Sequence, residues 1–126
     1  MTLREHLAAR TLVLDGAMGT QLMARGARGS NELWGVEHRD ELASTHRAYV
    51  EAGAQAILTN TFGGSRPKLQ RSGLAGRTQE LNRTLVEIAR EAAGDRTWVL
   101  GDVGPTGQFV EPYGELTEEQ MVDVFK

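Results

Sequence analysis

"LVLDGAMGTQL", Leu12 to Leu22, decides the fold. Together with Thr11, its first three residues form a run that is continuous rather than alternating, as a parallel strand buried on both faces reads. The run ends in Asp15, and Gly16 and Gly19 bracket the next segment, a loop placed at Gly16 to Thr20. A carboxylate at the C-terminal end of a parallel strand, beside a glycine turn, stands at the edge where parallel α/β folds bind ligands.

The same junction recurs twice. "AILTN", Ala56 to Asn60, reads as a second buried strand and leads into Thr61, Phe62 and a loop holding Gly63, Gly64 and Pro67. "TWVLGD", Thr97 to Asp102, reads as a third and leads into the loop "VGPTGQFVEPYGEL". Helices separate them. Thr2 and Glu5 have capping-box spacing for a helix to Arg10, with Leu3 and Leu7 on one face. Gly26 to Arg39 reads as a polar connection holding Trp34. Asp40 to Ala52 is helical, with Leu42, His46, Tyr49 and Val50 on one side and Gly53 as the stop. Thr78 to Ala93 is the clearest helix: Leu81, Leu85, Ile88, Ala89 and Ala92 share a face and Gly94 ends it. Thr117 and Gln120 cap a last helix with Met121, Val124 and Phe125 on one face.

One helix followed by three β-loop-α units predicts parallel βαβ crossovers of right hand. An open doubly wound sheet and a segment of a (β/α)8 barrel both fit that order. Three parallel strands would leave two open edges, and the last helix stops at Lys126 with no strand to return to. A (β/α)8 barrel takes about 250 residues. The residues therefore read as α/β, the first part of a larger domain, with the doubly wound sheet and the barrel segment both still open.

Composition narrows the chemistry. A net charge of −3 with scattered arginines argues against a nucleic-acid partner, which needs a basic stripe. The absence of cysteine excludes disulfides, thiolate catalysis and cysteine-based metal sites in these residues. No apolar run approaches the roughly 18 residues of a membrane span, so no membrane partner and a cytoplasmic location are expected.

At the strand ends, Asp15 and Asp102 can accept hydrogen bonds from an ammonium group. Backbone N–H groups around Gly16 to Gly19 or Gly63 can hold a carboxylate. An amino-acid-like zwitterion suits both. Either aspartate could instead cap a turn, and Asn60 and Thr61 could merely close one. "GAMGT" has neither a Walker lysine nor a G-x-G-x-x-G pattern. His6, His38 and His46 lack ligand spacing, and His46 is expected to be a hydrogen-bonded packing residue. Trp34, Tyr49 and Phe62 read as core or loop anchors, Phe62 beside the mouth. A non-catalytic amino-acid-binding module, pairing its open edges as a homo-oligomer, and a doubly wound nucleotide-binding domain are the alternatives from other classes.

With "LDGAMGTQL", "HRAYVEAGAQAILTNTFGG", "LNRTLVEIAREAA" and "GDVGPTG" in this order, Leu12 to Gly107 resembles the N-terminal part of a known domain. It is the homocysteine-binding domain shared by homocysteine S-methyltransferases, betaine–homocysteine methyltransferase and the first module of cobalamin-dependent methionine synthase. The resemblance implies α/β with residues 1–126 as the N-terminal part of one domain, the first three units, the last incomplete, of a truncated (β/α)8 TIM barrel that transfers a methyl group to the homocysteine thiol, giving methionine. It places Asp15 at the substrate amine and backbone groups of Gly16, Thr61 and Phe62 near its carboxylate. Ala17 and Met18 belong to the same loop, with Asn60 and Asp102 as supporting groups. It also implies zinc, held by three cysteines on later strands, so neither metal ligand nor catalytic residue is expected in this chain, which alone should be silent. The methyl donor is left open among methyltetrahydrofolate through cobalamin, S-methylmethionine, S-adenosylmethionine and betaine. The expected partners are homocysteine, that donor, and the missing C-terminal part of the barrel or a homo-oligomer. Gln55 stands where the family often has Asp, and "VEHRDEL" lacks the proline common there.

Overall fold

The computed structural model describes residues 1–126. Helix α1, Leu3–Ala9, opens on a complete capping box: the Thr2 hydroxyl accepts from the Glu5 N–H, and the Glu5 carboxylate accepts from the Thr2 N–H. Its His6 is buried, edge-on to Trp98 at 5.0 Å between ring centroids.

Two short strands, β1 (Ala56–Leu58) and β2 (Trp98–Leu100), pair in parallel, with Ile57 opposite Val99. On the other side of β1 the segment before Asp15 is extended but forms a single parallel bridge, Leu14 opposite Ala56. The Asp15 N–H donates to the Ala56 carbonyl, and the Ala56 N–H to that of Val13. Spatial order therefore follows chain order, with β1 central. This corrects the expectation of a strand buried on both faces at Thr11 to Leu14: Val13 is 52% and Leu14 46% exposed. The segment has a partner on one side only. The helices that carry Tyr49, Val50, Ala89 and Ala93 pack on the face that carries Ile57. Leu14 and Leu100, on the opposite face by register, border an open apolar groove with Leu3, Leu7 and Leu12.

Three stretches read as loops contain helices. Helix α2, Gly19–Ala24, starts inside the glycine-bracketed segment. Helix α3, Asn31–Glu37, lies within the connection Gly26 to Arg39, and the Ser30 hydroxyl caps it by accepting from the Leu33 N–H. Gly35 hid this helix, because glycine disfavours a helix interior. Here its lack of a side chain is needed: a Cβ would stand 2.8 Å from Asn60 Nδ2 and 3.0 Å from Leu42. Trp34 joins the main core with Leu22, Leu42, Leu85 and Ile88, its ring stacked on His38 at 4.1 Å.

Helix α4, Arg39–Glu51, ends just before Gly53 at φ +109, the left-handed region that a stop glycine tolerates. Helix α5, Arg66–Gln70, occupies the loop expected after Gly64; Ser65 caps it and Pro67 sits in its first turn. A single 3₁₀ turn, Ala75–Arg77, precedes helix α6, Thr78–Ala93, whose limits match the sequence reading. It buries Leu81, Leu85, Ile88, Ala89, Ala92 and Ala93, and each large aliphatic side chain removed from water contributes about 1.5–3 kcal/mol. Helix α7, Glu118–Val124, has the Thr117–Gln120 capping box but buries no residue.

Candidate functional site

The C-terminal ends of the three parallel segments meet at a cavity of about 470 Å³. Asp15, Gly16, Met18 and Gly19 line it from the first junction; Leu58, Thr59, Asn60, Phe62 and Gly63 from the second; Asp102 from the third. The start of α3 supplies a fourth wall, Ser30, Asn31 and Glu32.

Asp15 is the centre of this arrangement. Its Oδ2 accepts the Leu58 N–H at 3.0 Å, while Oδ1 is buried without any hydrogen-bond partner. Burial pushes the carboxyl pKa up; the Leu58 bond opposes this, and the nearby Asp102 charge adds to it. A buried carboxylate oxygen left without a donor is uncommon in folded proteins and suits a cationic one. Of the residues that line the cavity with it, Gly16, Met18 and Phe62 have N–H groups that donate to no backbone carbonyl. Tyr49 holds this loop from below: its hydroxyl donates to the Ala17 carbonyl at 2.6 Å, and a Cβ on Gly16 would come within 3.1 Å of its ring.

The other expected residues divide. Phe62 lines the cavity and is 56% exposed. Asn60 is buried and donates through Nδ2 to the Asn31 carbonyl at 2.9 Å, tying α3 to the end of β1. Ala17 does not line the cavity; its carbonyl accepts from Tyr49. Thr61 is turned away from the cavity into a closed ring of hydrogen bonds. The Asp102 N–H donates to Thr59 Oγ1 at 3.0 Å, the two threonine hydroxyls are 2.6 Å apart, and Thr61 Oγ1 donates to the Asp102 carbonyl at 2.7 Å. Its own N–H goes to the Thr59 carbonyl. This ring satisfies two buried hydroxyls and sets the end of β2, and so Asp102, against that of β1.

Glu32 is the residue that sequence reasoning missed. It is buried; Oε1 accepts the Gly63 N–H at 2.7 Å and Oε2 accepts the Ser30 hydroxyl at 3.1 Å. The Gly63 N–H, expected to be free for a ligand carboxylate, is therefore taken. The available signal was Ser30 as an N-cap with an acid in the first turn behind it.

His46 corrects another expectation. It is fully buried on α4, as its place on the inward face requires, but neither ring nitrogen has a partner. Burial lowers its pKa from 6.5 to about 4, so the ring is neutral at pH 7.

With no cysteine in the chain and no cluster of three or more histidine, aspartate or glutamate side chains, these residues do not fit a zinc site. No helix is long and apolar enough to cross a membrane.

A family model described as homocysteine S-methyltransferase matches residues 12–126. The chain belongs to the homocysteine S-methyltransferase family. Within that family it is 39% identical to the methionine synthases of Mycobacterium tuberculosis and Mycobacterium leprae, over 82% of the chain in each case. It spans 10% of their length. Among solved structures it is similar to the homocysteine methyltransferase MmuM from Escherichia coli. The metallated form matches with 31% identity and a TM-score of 0.66, covering 83% of this chain and 42% of that one. The oxidized form matches with 32% identity and a TM-score of 0.63, over 83% and 41%. The α/β fold with its small parallel sheet thus corresponds to part of a homocysteine methyltransferase. Family membership also sets aside the nucleotide-binding alternative.

Proposed function

We propose that residues 1–126 are the first three βα units, the third incomplete, of a (β/α)8 homocysteine S-methyltransferase barrel, and that they hold the amino-acid end of homocysteine. The reading rests on one observation above all: Asp15 Oδ1 is buried and unpartnered at a cavity also lined by Gly16, Met18 and Phe62, whose N–H groups are uncommitted. Asp15 accepts from the substrate ammonium, and those N–H groups bind its carboxylate. Asp102 adds negative charge on the amine side. Thr61 acts through the hydrogen-bond ring that fixes Asp102, and Asn60 by anchoring α3.

In the reaction the homocysteine thiol loses its proton and its sulfur attacks the donor methyl carbon. The bond from methyl to donor breaks, and its electrons stay with the donor. A free thiol has a pKa of about 8.5, so the complete enzyme must also favour the thiolate. The zinc implied by the family resemblance does that when bound, but residues 1–126 do not fit it, and their part is to orient the substrate. The remaining strands would also cover the groove between Leu14, Leu100 and α1.

The complete protein should convert homocysteine to methionine with one of methyltetrahydrofolate plus a corrinoid, S-methylmethionine, S-adenosylmethionine or betaine. No methionine from any of the four would contradict the reading.

A further inference from the structure

We infer that Glu32 is a positioning residue of the homocysteine site, one that anchors the Phe62–Gly63 peptide and so fixes the turn from Thr61 to Gly64, whose Phe62 N–H is left for the substrate carboxylate. The inference rests on the proposed role of this cavity in holding homocysteine. A trans peptide sends its N–H and C=O in opposite directions, and this one is held from both sides. On one side the Gly63 N–H donates to Glu32 Oε1 at 2.7 Å. On the other, the Phe62 carbonyl lies so close to Gly104 that a Cβ there would collide with its oxygen. The approach to Glu32 is equally tight, since a Cβ on Gly63 would stand 2.8 Å from Oε1.

This clamp sets the neighbouring amides. Thr61 N–H is bound to the Thr59 carbonyl and Gly64 N–H to that of Thr61, and Phe62 N–H between them donates to no carbonyl. Without Glu32, the Gly63 N–H would be freed at the cavity wall and the turn from Thr61 to Gly64 would lose its anchor, so that Phe62, and with it the N–H of the Thr61–Phe62 peptide, would shift from the ligand. Glu32 is itself held rigidly. It is 8% exposed and receives the hydroxyl of Ser30, which also caps α3. The carboxylate thus acts through backbone it orders and does not touch the reacting sulfur.

The test compares the complete enzyme with its Glu32→Ala, Glu32→Gln and Asp15→Ala variants, measuring KM and kcat for homocysteine and the thermal midpoint. Glu32→Ala should raise KM about tenfold, as loss of one charge-assisted hydrogen bond does, with kcat per folded enzyme nearly unchanged. Glu32→Gln, whose amide oxygen can still accept from Gly63, should recover most of that loss. If Glu32→Ala does not fold, Glu32→Asp carries the test: its shorter carboxylate does not reach Gly63, and KM should rise. An unchanged KM with only a lower midpoint would make Glu32 a structural brace and overturn the inference. If Asp15→Ala raises KM and Glu32→Ala does not, the inference alone fails; if neither does, the site reading fails with it.

Discussion

Asp15 and Leu58 share a single hydrogen bond that uses half of a carboxylate: Oδ2 accepts the Leu58 N–H at 3.0 Å, and the buried Oδ1 accepts nothing. The fold holds this group above its ordinary pKa, chiefly through burial. A raised pKa makes Asp15 favourable to stability below its unfolded value, and that contribution is lost as pH rises through the folded value. At pH 7 the ionised group therefore costs the ligand-free protein stability. Asp15→Asn keeps an acceptor for Leu58 and removes the charge. It should raise the denaturant midpoint of the ligand-free protein at pH 7, with the gain shrinking below about pH 4, while homocysteine affinity falls. A lower midpoint at pH 7 would show that the carboxylate is already satisfied.

His46 should make the fold acid-sensitive in a defined window. Its folded pKa of about 4 lies below the ordinary 6.5. Its contribution is therefore intact above pH 6.5 and is lost as pH falls toward 4, amounting to about 3 kcal/mol at the full shift. His46→Leu fills similar space without two unpartnered nitrogens. Chemical denaturation from pH 7 to pH 4 should show a shallower loss in this variant than in the parent. Parallel curves would remove His46 as the cause.

The threonine ring should behave as a unit. Thr59→Val leaves the Asp102 N–H without its acceptor, and Thr61→Val leaves the Asp102 carbonyl without its donor. Each should cost about 1–3 kcal/mol by equilibrium unfolding. The double variant should cost less than the sum, because the two losses overlap in one network. Strict additivity would mean that the hydroxyls act independently.

Two glycines only three residues apart should respond differently. A Cβ on Gly104 would collide with the Phe62 carbonyl, whereas one on Gly101 meets nothing within 4 Å. Gly104→Ala should destabilise by about 1–3 kcal/mol, the usual cost of overpacking, and weaken homocysteine binding. Gly101→Ala should stay within about 0.5 kcal/mol of the parent. Equal effects would show that the loop after β2 adjusts freely.

These sites differ in how far the sequence disclosed them. Helix α6 was readable to its ends because five apolar residues repeat at helical spacing and Gly94 stops it. Both capping boxes were legible from a threonine three residues before Glu5 or Gln120. Asp15, Phe62 and Asp102 were readable as strand-end groups, and they do line one cavity. Helix α3 was not readable: Gly35 sits in its middle for the sake of Asn60, a contact 25 residues away in the chain that no local pattern records. Glu32 vanished with it, since a glutamate in a supposed polar connection looks solvated. The exposure of Val13 and Leu14 depends on how many strands stand beside them, which local sequence does not encode. The orphan nitrogens of His46 depend on what α4 packs against, not on its helical face.

Homocysteine binding to the complete enzyme and to its Asp15→Ala variant, each measured against 4-mercaptobutanoate, the same thiol acid without the amine, tests the role of Asp15 most directly. In the parent, loss of the amine should weaken binding about ten- to a hundredfold, the worth of a charge-assisted bond. In Asp15→Ala that difference should shrink to the small preference that the Asp102 charge alone supplies. If Asp15→Ala weakens both ligands equally, or neither, the substrate amine does not meet Asp15.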